Sequence, residues 1–160
     1  MYSPFSGAET AFEKARGISD IRVSINWSQV HIEHLTNPVP EHRIRVLEKL
    51  KTCSIKIQLL KLNHDGLSFL IKESDREQVS ALLSDWNPAV SPEMCIISIF
   101  AVNVRDEEGL IARIIGAAIS SGARLEHAAD MHDRLLIAAR ISDADQIITS
   151  IRSGLSEDSK

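Results

Sequence analysis

The 160-residue chain reads as an α+β protein built from two copies of one small unit. The run Leu67-Ser68-Phe69-Leu70-Ile71-Lys72-Glu73-Ser74-Asp75 aligns without a gap on Leu135-Leu136-Ile137-Ala138-Ala139-Arg140-Ile141-Ser142-Asp143, an offset of 68 residues. Carried back, the same offset sets Ile44, Val46, Leu47 and Leu50 on Ala112, Ile114, Ile115 and Ala118, and Ile57 on Leu125. Both copies also show one order of hydrophobic periods: strand, helix, strand, strand, helix. Two copies are too few for a solenoid, which needs at least three repeats to bury a continuous core. Each half alone is near the size where one core is marginal. The halves are therefore expected to pack on each other, and the pair on another chain.

The elements follow in order. Residues 1–17 form an N-terminal arm, irregular or weakly helical. Ile21, Val23 and Ile25 alternate with Arg22, Ser24 and Asn26, the period of a half-buried strand. A short turn is expected near Asn26 to Ser28, and Val30 and Ile32 then mark a second strand. Asn37-Pro38-Val39-Pro40 ends it, because proline cannot continue a ladder and restricts its predecessor. Glu41 to Lys51 is a helix with Ile44, Leu47 and Leu50 on its apolar face. Its first-turn Glu41 and last-turn Lys49 and Lys51 suit the helix dipole. Ile55, Ile57 and Leu59 give a strand, and Leu67 to Ile71 its partner. Asn63-His64-Asp65-Gly66 joins them as a hairpin turn in which Asp-Gly supplies positive φ. Ser74 or Asp75 caps a helix from Arg76 to about Trp86, with Val79, Leu82 and Leu83 inward. The first unit thus covers 18–86, although the leading strand 18–26 could equally complete the second. Residues 87–93, with Pro88 and Pro92, read as a linker.

The second unit covers 94–153. It runs from a strand over Ile96 to Val102, through a loop from Asn103 to Glu108, to a helix from Leu110 to Ser121. Gly122 is the C-terminal stop, since glycine enters the left-handed region at little cost. Strands over Leu125 to Ala129 and Leu135 to Arg140 flank a turn, and Ser142-Asp143 caps a last helix through Arg152. Residues 154–160 are expected to fray.

Composition excludes several classes of function. Hydrophobic (44%) and charged (25%) fractions are those of an ordinary globular protein. A net charge of −4 provides no electrostatic basis for nucleic-acid binding. The longest apolar run, Met94 to Val102, is too short to span a bilayer. The first residues lack the apolar centre of a signal peptide, so a cytoplasmic protein is expected. Cys53 and Cys95 make no disulfide framework and are expected to be buried, reduced thiols.

The search for chemistry is mostly negative. His31-Ile32-Glu33-His34 invites a metal reading, but residues three apart on a strand point to opposite faces. Glu126, His127, Asp130, His132 and Asp133 gather at the second hairpin tip, where a polar turn is the simpler reading than a divalent-ion site. No nucleophile elbow, Walker loop or dinucleotide fingerprint occurs. No catalytic residue, metal site or cofactor is assigned. What remains is Asn103-Val104-Arg105-Asp106-Glu107-Glu108-Gly109, joining a buried strand to a helix. Backbone N–H groups at such a helix start can receive a carboxylate; a plain tight turn at Gly109 is the competing reading.

The repeated order resembles a pair of ACT modules, and most of all the regulatory C-terminal portion of aspartate kinase or its separate regulatory subunit. The resemblance covers about Gly17 to Arg152. Its carriers are Ile18-Ser19-Asp20-Ile21-Arg22-Val23 followed by Val30-His31-Ile32, Ile97-Ser98-Ile99-Phe100-Ala101-Val102-Asn103-Val104-Arg105 through Gly109, and Gly122-Ala123-Arg124-Leu125-Glu126. It implies two ferredoxin-like modules of βαββαβ type, each an antiparallel sheet with helices on one face. It also implies side-by-side homodimerisation, and allosteric sensing of an amino acid such as lysine or threonine that serves a kinase catalytic chain. The family's effector contacts map here to Asn37, Pro38, Val39, Pro40, Glu41 and Gln58 in the first unit. In the second they map to Asn103, Arg105, Gly109, Leu110, Arg124 and Leu125.

The sequence departs from the family pattern in the first unit. Glu41 stands at the position equivalent to Gly109, two prolines remove loop N–H donors, and Lys56-Ile57-Gln58 replaces Asn-Ile-Asp. In the second unit Arg124 replaces an asparagine. The expectation is a non-catalytic amino-acid-sensing module. The alternative is a ligand-free ACT-type module that dimerises or scaffolds a partner.

Overall fold

The computed structural model describes residues 17–101, 104 and 108–156. The expected arm over 1–17, apart from Gly17, lies outside them. Six strands and four α-helices follow in the order β1 (Ile18–Ile32), α1 (Val39–Thr52), β2 (Ile57–Leu62), β3 (Leu67–Lys72), α2 (Arg76–Leu82), β4 (Ala89–Ala101), α3 (Leu110–Ser120), β5 (Leu125–Asp130), β6 (Arg134–Arg140) and α4 (Ala144–Ser156). Short 3-10 turns precede α2 (Glu73–Asp75) and α4 (Ile141–Asp143), and one follows α2 (Ser84–Trp86). The strands form one curled antiparallel sheet in the order β2-β3-β1-β4-β6-β5.

The internal repeat is written into these boundaries. Adding 68 to β2 (57–62) gives β5 (125–130), and adding it to the turn 73–75 gives 141–143. Even an irregularity is duplicated. The β2–β3 register slips between Gln58 and Lys61, and the β5–β6 register slips between Leu125 and His127.

Two long strands hold the copies together. The start of β1, from Ile18 to Ser24, pairs with β4 over Ile96 to Ala101. The end of β1, from Trp27 to Ile32, pairs with β3, and its other side meets Ala89 to Ser91 of β4. Trp27 and Met94 face each other at the crossing. Each follows a residue of positive φ, Asn26 at 65° and Glu93 at 58°. Both mark β-bulges, where an extra residue shifts the alternation of side chains by one place. Before the bulge Ile21 faces the helices of the second half; after it Val30 and Ile32 face those of the first.

These bulges account for two departures from the sequence reading. The turn expected at Asn26 to Ser28 is a bulge inside one continuous strand. Residues 89–93, expected as linker, are the start of β4. Pro92 is tolerated because this stretch gains its β6 partner only from Met94 onward, so it is a sheet edge.

Three apolar clusters form the interior. One packs Val30, Ile32, Leu67, Phe69 and Ile71 against Val46 and Leu50 of α1, Val79 of α2 and Leu83 just after it. Its counterpart packs Ile97, Ile99, Leu135 and Ile137 against Ile114, Ala118, Ile147 and Ile151 of α3 and α4. The third lies on the helix-free face, where Trp27, Leu70, Met94, Ile96, Leu136 and Ala138 meet. Val79 and Leu83 are buried as expected, with Leu82 partly so.

Other expectations are corrected. Ile44 is 55% exposed; α1 buries Leu50 and partly Leu47 as expected, but Val46 takes the inward place given to Ile44. Arg43 takes an inward flank, and its guanidinium donates to the carbonyls of Asn63, His64 and Gly66 in the facing hairpin. Gly66 does not adopt positive φ. Its requirement is close approach, because a Cβ there would sit 2.1 Å from the Ile32 carbonyl oxygen. α2 stops at Leu82, and the chain reaches Trp86 as a 3-10 turn. α4 continues to Ser156, so residues 154–156 are helical rather than frayed. Cys95 is buried, but Cys53, at the end of α1, is only half-buried. Gly122 does end α3 at a φ of 80°, donating to the Ile119 carbonyl at 3.0 Å.

Two glycines give a paired test. Gly66→Ala drives the turn before β3 away from the end of β1 at Ile32 and is expected to cost about 2 kcal/mol or more. Gly116→Ala, in mid-helix with nothing within 4 Å of the new methyl, is expected to stabilise by about 1 kcal/mol. Urea midpoints at unchanged m-value measure both.

Candidate functional site

Two clefts of similar size are bounded by these elements. The first, about 590 Å³, opens where the end of β1 and the loop after it meet α1 and the turn beyond α2. Its walls carry His31, Glu33, His34, His42, Arg45 and Trp86. Trp86 organises this corner. Its indole N–H donates to His42 Nδ1 at 3.1 Å, so the His42 proton sits on Nε2, which faces Thr36 Oγ1 at 3.2 Å. The Arg45 guanidinium and Lys49 ammonium lie over the ring at 5.5 and 5.0 Å from its centroid. Lys49 also pairs with Asp85 at 3.1 Å.

The second cleft, about 570 Å³, lies along the seam between β2, α3 and β5. β2 and β5 end the sheet on opposite sides, yet both line this one space. The curl of the sheet brings them together. The same curl lets the Gln29 amide of β1 approach His127 Nε2 of β5 at 3.2 Å, although β4 and β6 separate those strands in the sheet. Gln29 and His127 are both buried polar residues. Burial holds the His127 imidazole below its ordinary proton affinity, and the Lys61 charge adds to this; Glu126 opposes it, and His31 weakly reinforces it. The neutral ring is thus the form that the seam accommodates.

The sequence-derived site residues scatter around these clefts. Asn37, Pro38, Pro40 and Glu41 are exposed at the start of α1, and Val39 packs on the first core. Pro38 occupies the N-cap position without a side-chain bond, and Gln58 is exposed on β2. None of these six lines either cleft. Gly109 caps α3 at a φ of 77°, but the Leu110 side chain is buried in the core. Arg124 is exposed and pairs with Glu126 at 2.8 Å, while Leu125 lines the seam cleft beside Glu126 and His127. Asn103 and Arg105 lie outside the described residues.

Several of the groups that the sequence offers as metal ligands have other partners. His31 meets Glu33 at 2.7 Å, His34 meets Asp65 at 3.4 Å, and Asp133 pairs with Arg134 at 2.7 Å. Among the described residues no three His, Cys, Asp or Glu side chains converge on one point. Also among them, no helix is long and apolar enough to cross a membrane.

The sequence reading missed Trp86, His42, Arg45 and Lys61. One signal was available: Trp86 is one of only two tryptophans and is followed by Asn87-Pro88, an unusual place for a large apolar ring.

No known family profile matches the chain, and no curated protein matches it. Solved structures do. The ligand-free regulatory subunit of aspartate kinase from Thermus thermophilus superposes with a TM-score of 0.78 at 16% identity, covering 88% of this chain and 98% of that one. Aspartate kinase from Clostridium acetobutylicum gives 0.75 at 16% identity, covering 93% and 37%. E. coli aspartokinase III in complex with lysine and aspartate gives 0.68 at 12% identity, covering 86% and 33%. The chain therefore spans about a third of the two full-length kinases and nearly all of the separate subunit. The likeness is one of fold, and at that level the resemblance read from the sequence holds.

The buried imidazole sets a pH dependence of stability. Its folded pKa lies below the ordinary 6.5, so below about pH 6.5 the unfolded chain binds the proton more readily. The neutral-His contribution is intact above that pH and is lost as pH falls toward the folded pKa. His127→Gln is expected to flatten the decline in melting temperature between about pH 7 and about pH 5, measured beside the parent protein.

Proposed function

We propose that the chain is a non-catalytic regulatory module of tandem ACT type that senses a small amino acid. The observation that carries this reading is the register of the shared strands. On this reading β2-β3-β1-β4 is one ferredoxin-like module and β1-β4-β6-β5 a second of the same order, completed by the start of β1; the pairing of β1 with both β3 and β4 supports it. The likeness to a free-standing regulatory subunit over almost its whole length supports it.

On this reading the two strand-to-helix loops are the effector sites. Asn37, Pro38, Val39, Pro40, Glu41 and Gln58 form one. Asn103, Arg105, Gly109, Leu110, Arg124 and Leu125 form the other, where the start of α3 offers backbone donors to an effector carboxylate. The departures at Glu41 and the two prolines make the second the stronger receiver. Lysine and threonine are the first effectors to try. Homodimerisation would add strands at the sheet ends, where unpaired backbone groups invite pairing. A separate kinase catalytic chain is the natural partner, with the effector altering how the module sits on it.

A thermal-shift screen of the protein amino acids tests the sensing claim. A specific effector at a hundredfold excess over its Kd is expected to add about 2.7 kcal/mol to stability and to raise the melting temperature accordingly. A flat response to every amino acid would remove sensing and leave the ligand-free scaffold.

A further inference from the structure

We infer that the seam cleft between β2, α3 and β5 is a binding site for a small monocarboxylate with an aliphatic tail. The cleft shares Leu125 with the second effector site proposed above, but the assignment rests on the cleft's own walls and not on the loop before α3. Three features carry it. The walls are apolar, with Leu60, Ile115, Ile119 and Leu125 supplied by three different elements. Leu60 and Ile119 are 43% and 60% exposed, large side chains turned to water on either side of one concavity. Lys61 stands in the same wall, and among the described residues its ammonium has no hydrogen bond or ion pair.

An apolar cleft of this size with few convergent polar groups is the ordinary form of a small-molecule site. The charges sort the ligands that fit. Lys61 attracts one carboxylate. Glu126, already paired with Arg124, repels a second and disfavours dicarboxylates. An ammonium-tipped tail such as that of lysine would keep its charge in water and leave the apolar surface of Leu60 and Ile119 uncovered. A branched four- to six-carbon tail instead covers both exposed residues. Aliphatic amino acids and the corresponding 2-oxo acids share this chemistry; the α-ammonium that only the former carry would find Glu126.

Calorimetry with leucine and with 4-methyl-2-oxopentanoate, each followed by the NMR shift of the Ile119 methyl, tests the site. At least one probe is expected to bind and move that methyl, whereas isopentanol, which lacks the carboxylate, is expected to bind at least tenfold more weakly. Lys61→Gln, at an exposed position, is expected to weaken the acid by roughly tenfold. Ile119→Glu, also at an exposed position, is expected to abolish binding. Leucine alone responding identifies an amino acid, and the oxo acid alone its deaminated counterpart. No binding of either at millimolar concentration, or binding that survives both substitutions, would overturn the assignment. Lysine or threonine binding with Ile119 unmoved and no aliphatic response would overturn it too, while sparing the regulatory reading.

Discussion

Everything in this fold hangs on the crossing of β1 and β4 at Trp27 and Met94. Each strand begins in one copy and ends in the other, so neither copy owns a complete sheet. Trp27 is 5% exposed and Met94 1%, and they share the helix-free cluster with Leu70 from one half and Leu136 from the other. The Trp27 indole N–H donates to Ser24 at 2.9 Å, and Lys72 lies 3.8 Å over its ring, so both polar edge and face are occupied. The two halves, each with a cluster under its own helices, are thereby joined by a third cluster that both supply. The two bulges are the cost of the arrangement. Without the extra residue at Asn26 and Glu93, each strand would present its apolar side to helices in only one half.

The curl of the sheet follows from the same crossing, and the seam follows from the curl. Apolar side chains on the helix-free face are covered only if that face folds on itself, as the cluster of Trp27, Leu70, Met94, Ile96, Leu136 and Ala138 records. Folding it brings the outermost strands β2 and β5 to one cleft and presses Gln29 against His127. The polar pair at the seam is thus a consequence of packing, and the two clefts arise at different places for different reasons. The cleft near Trp86 is a gap between helix ends within the first half; the other lies between the halves.

Much of the fold was legible in the residues. The 68-residue offset predicted the second unit so well that β2 and β5, and the turns 73–75 and 141–143, coincide to the residue, and β3 and β6 differ only at their first residue. What escaped was irregularity. The apolar positions of β1 change from odd (Ile21, Val23) to even (Val30, Ile32), which is a bulge's signature, but a turn produces the same change in parity. Pro88 and Pro92 suggested a linker because proline is excluded from central ladders, and only the pairing reveals that their stretch is an edge. Ile44 misled because Arg43, nominally polar, takes an inward flank of α1 by satisfying three hairpin carbonyls. The clefts were the least legible part. Lys61 is far in sequence from Ile119 and Leu125, and nothing in one dimension records that opposite ends of a sheet meet.

The 15 residues of β1 extend about 50 Å if fully stretched, well beyond the usual length of a strand. A beam of that length, fixed in two layers and stiffened by ladders along most of it, cannot tilt at one end alone. Any reorientation of the helices on one side must be absorbed at the Asn26 irregularity or carried across to the other. Mechanical continuity of this kind makes the pair a single lever, with its pivot where the register shifts on either side of Trp27.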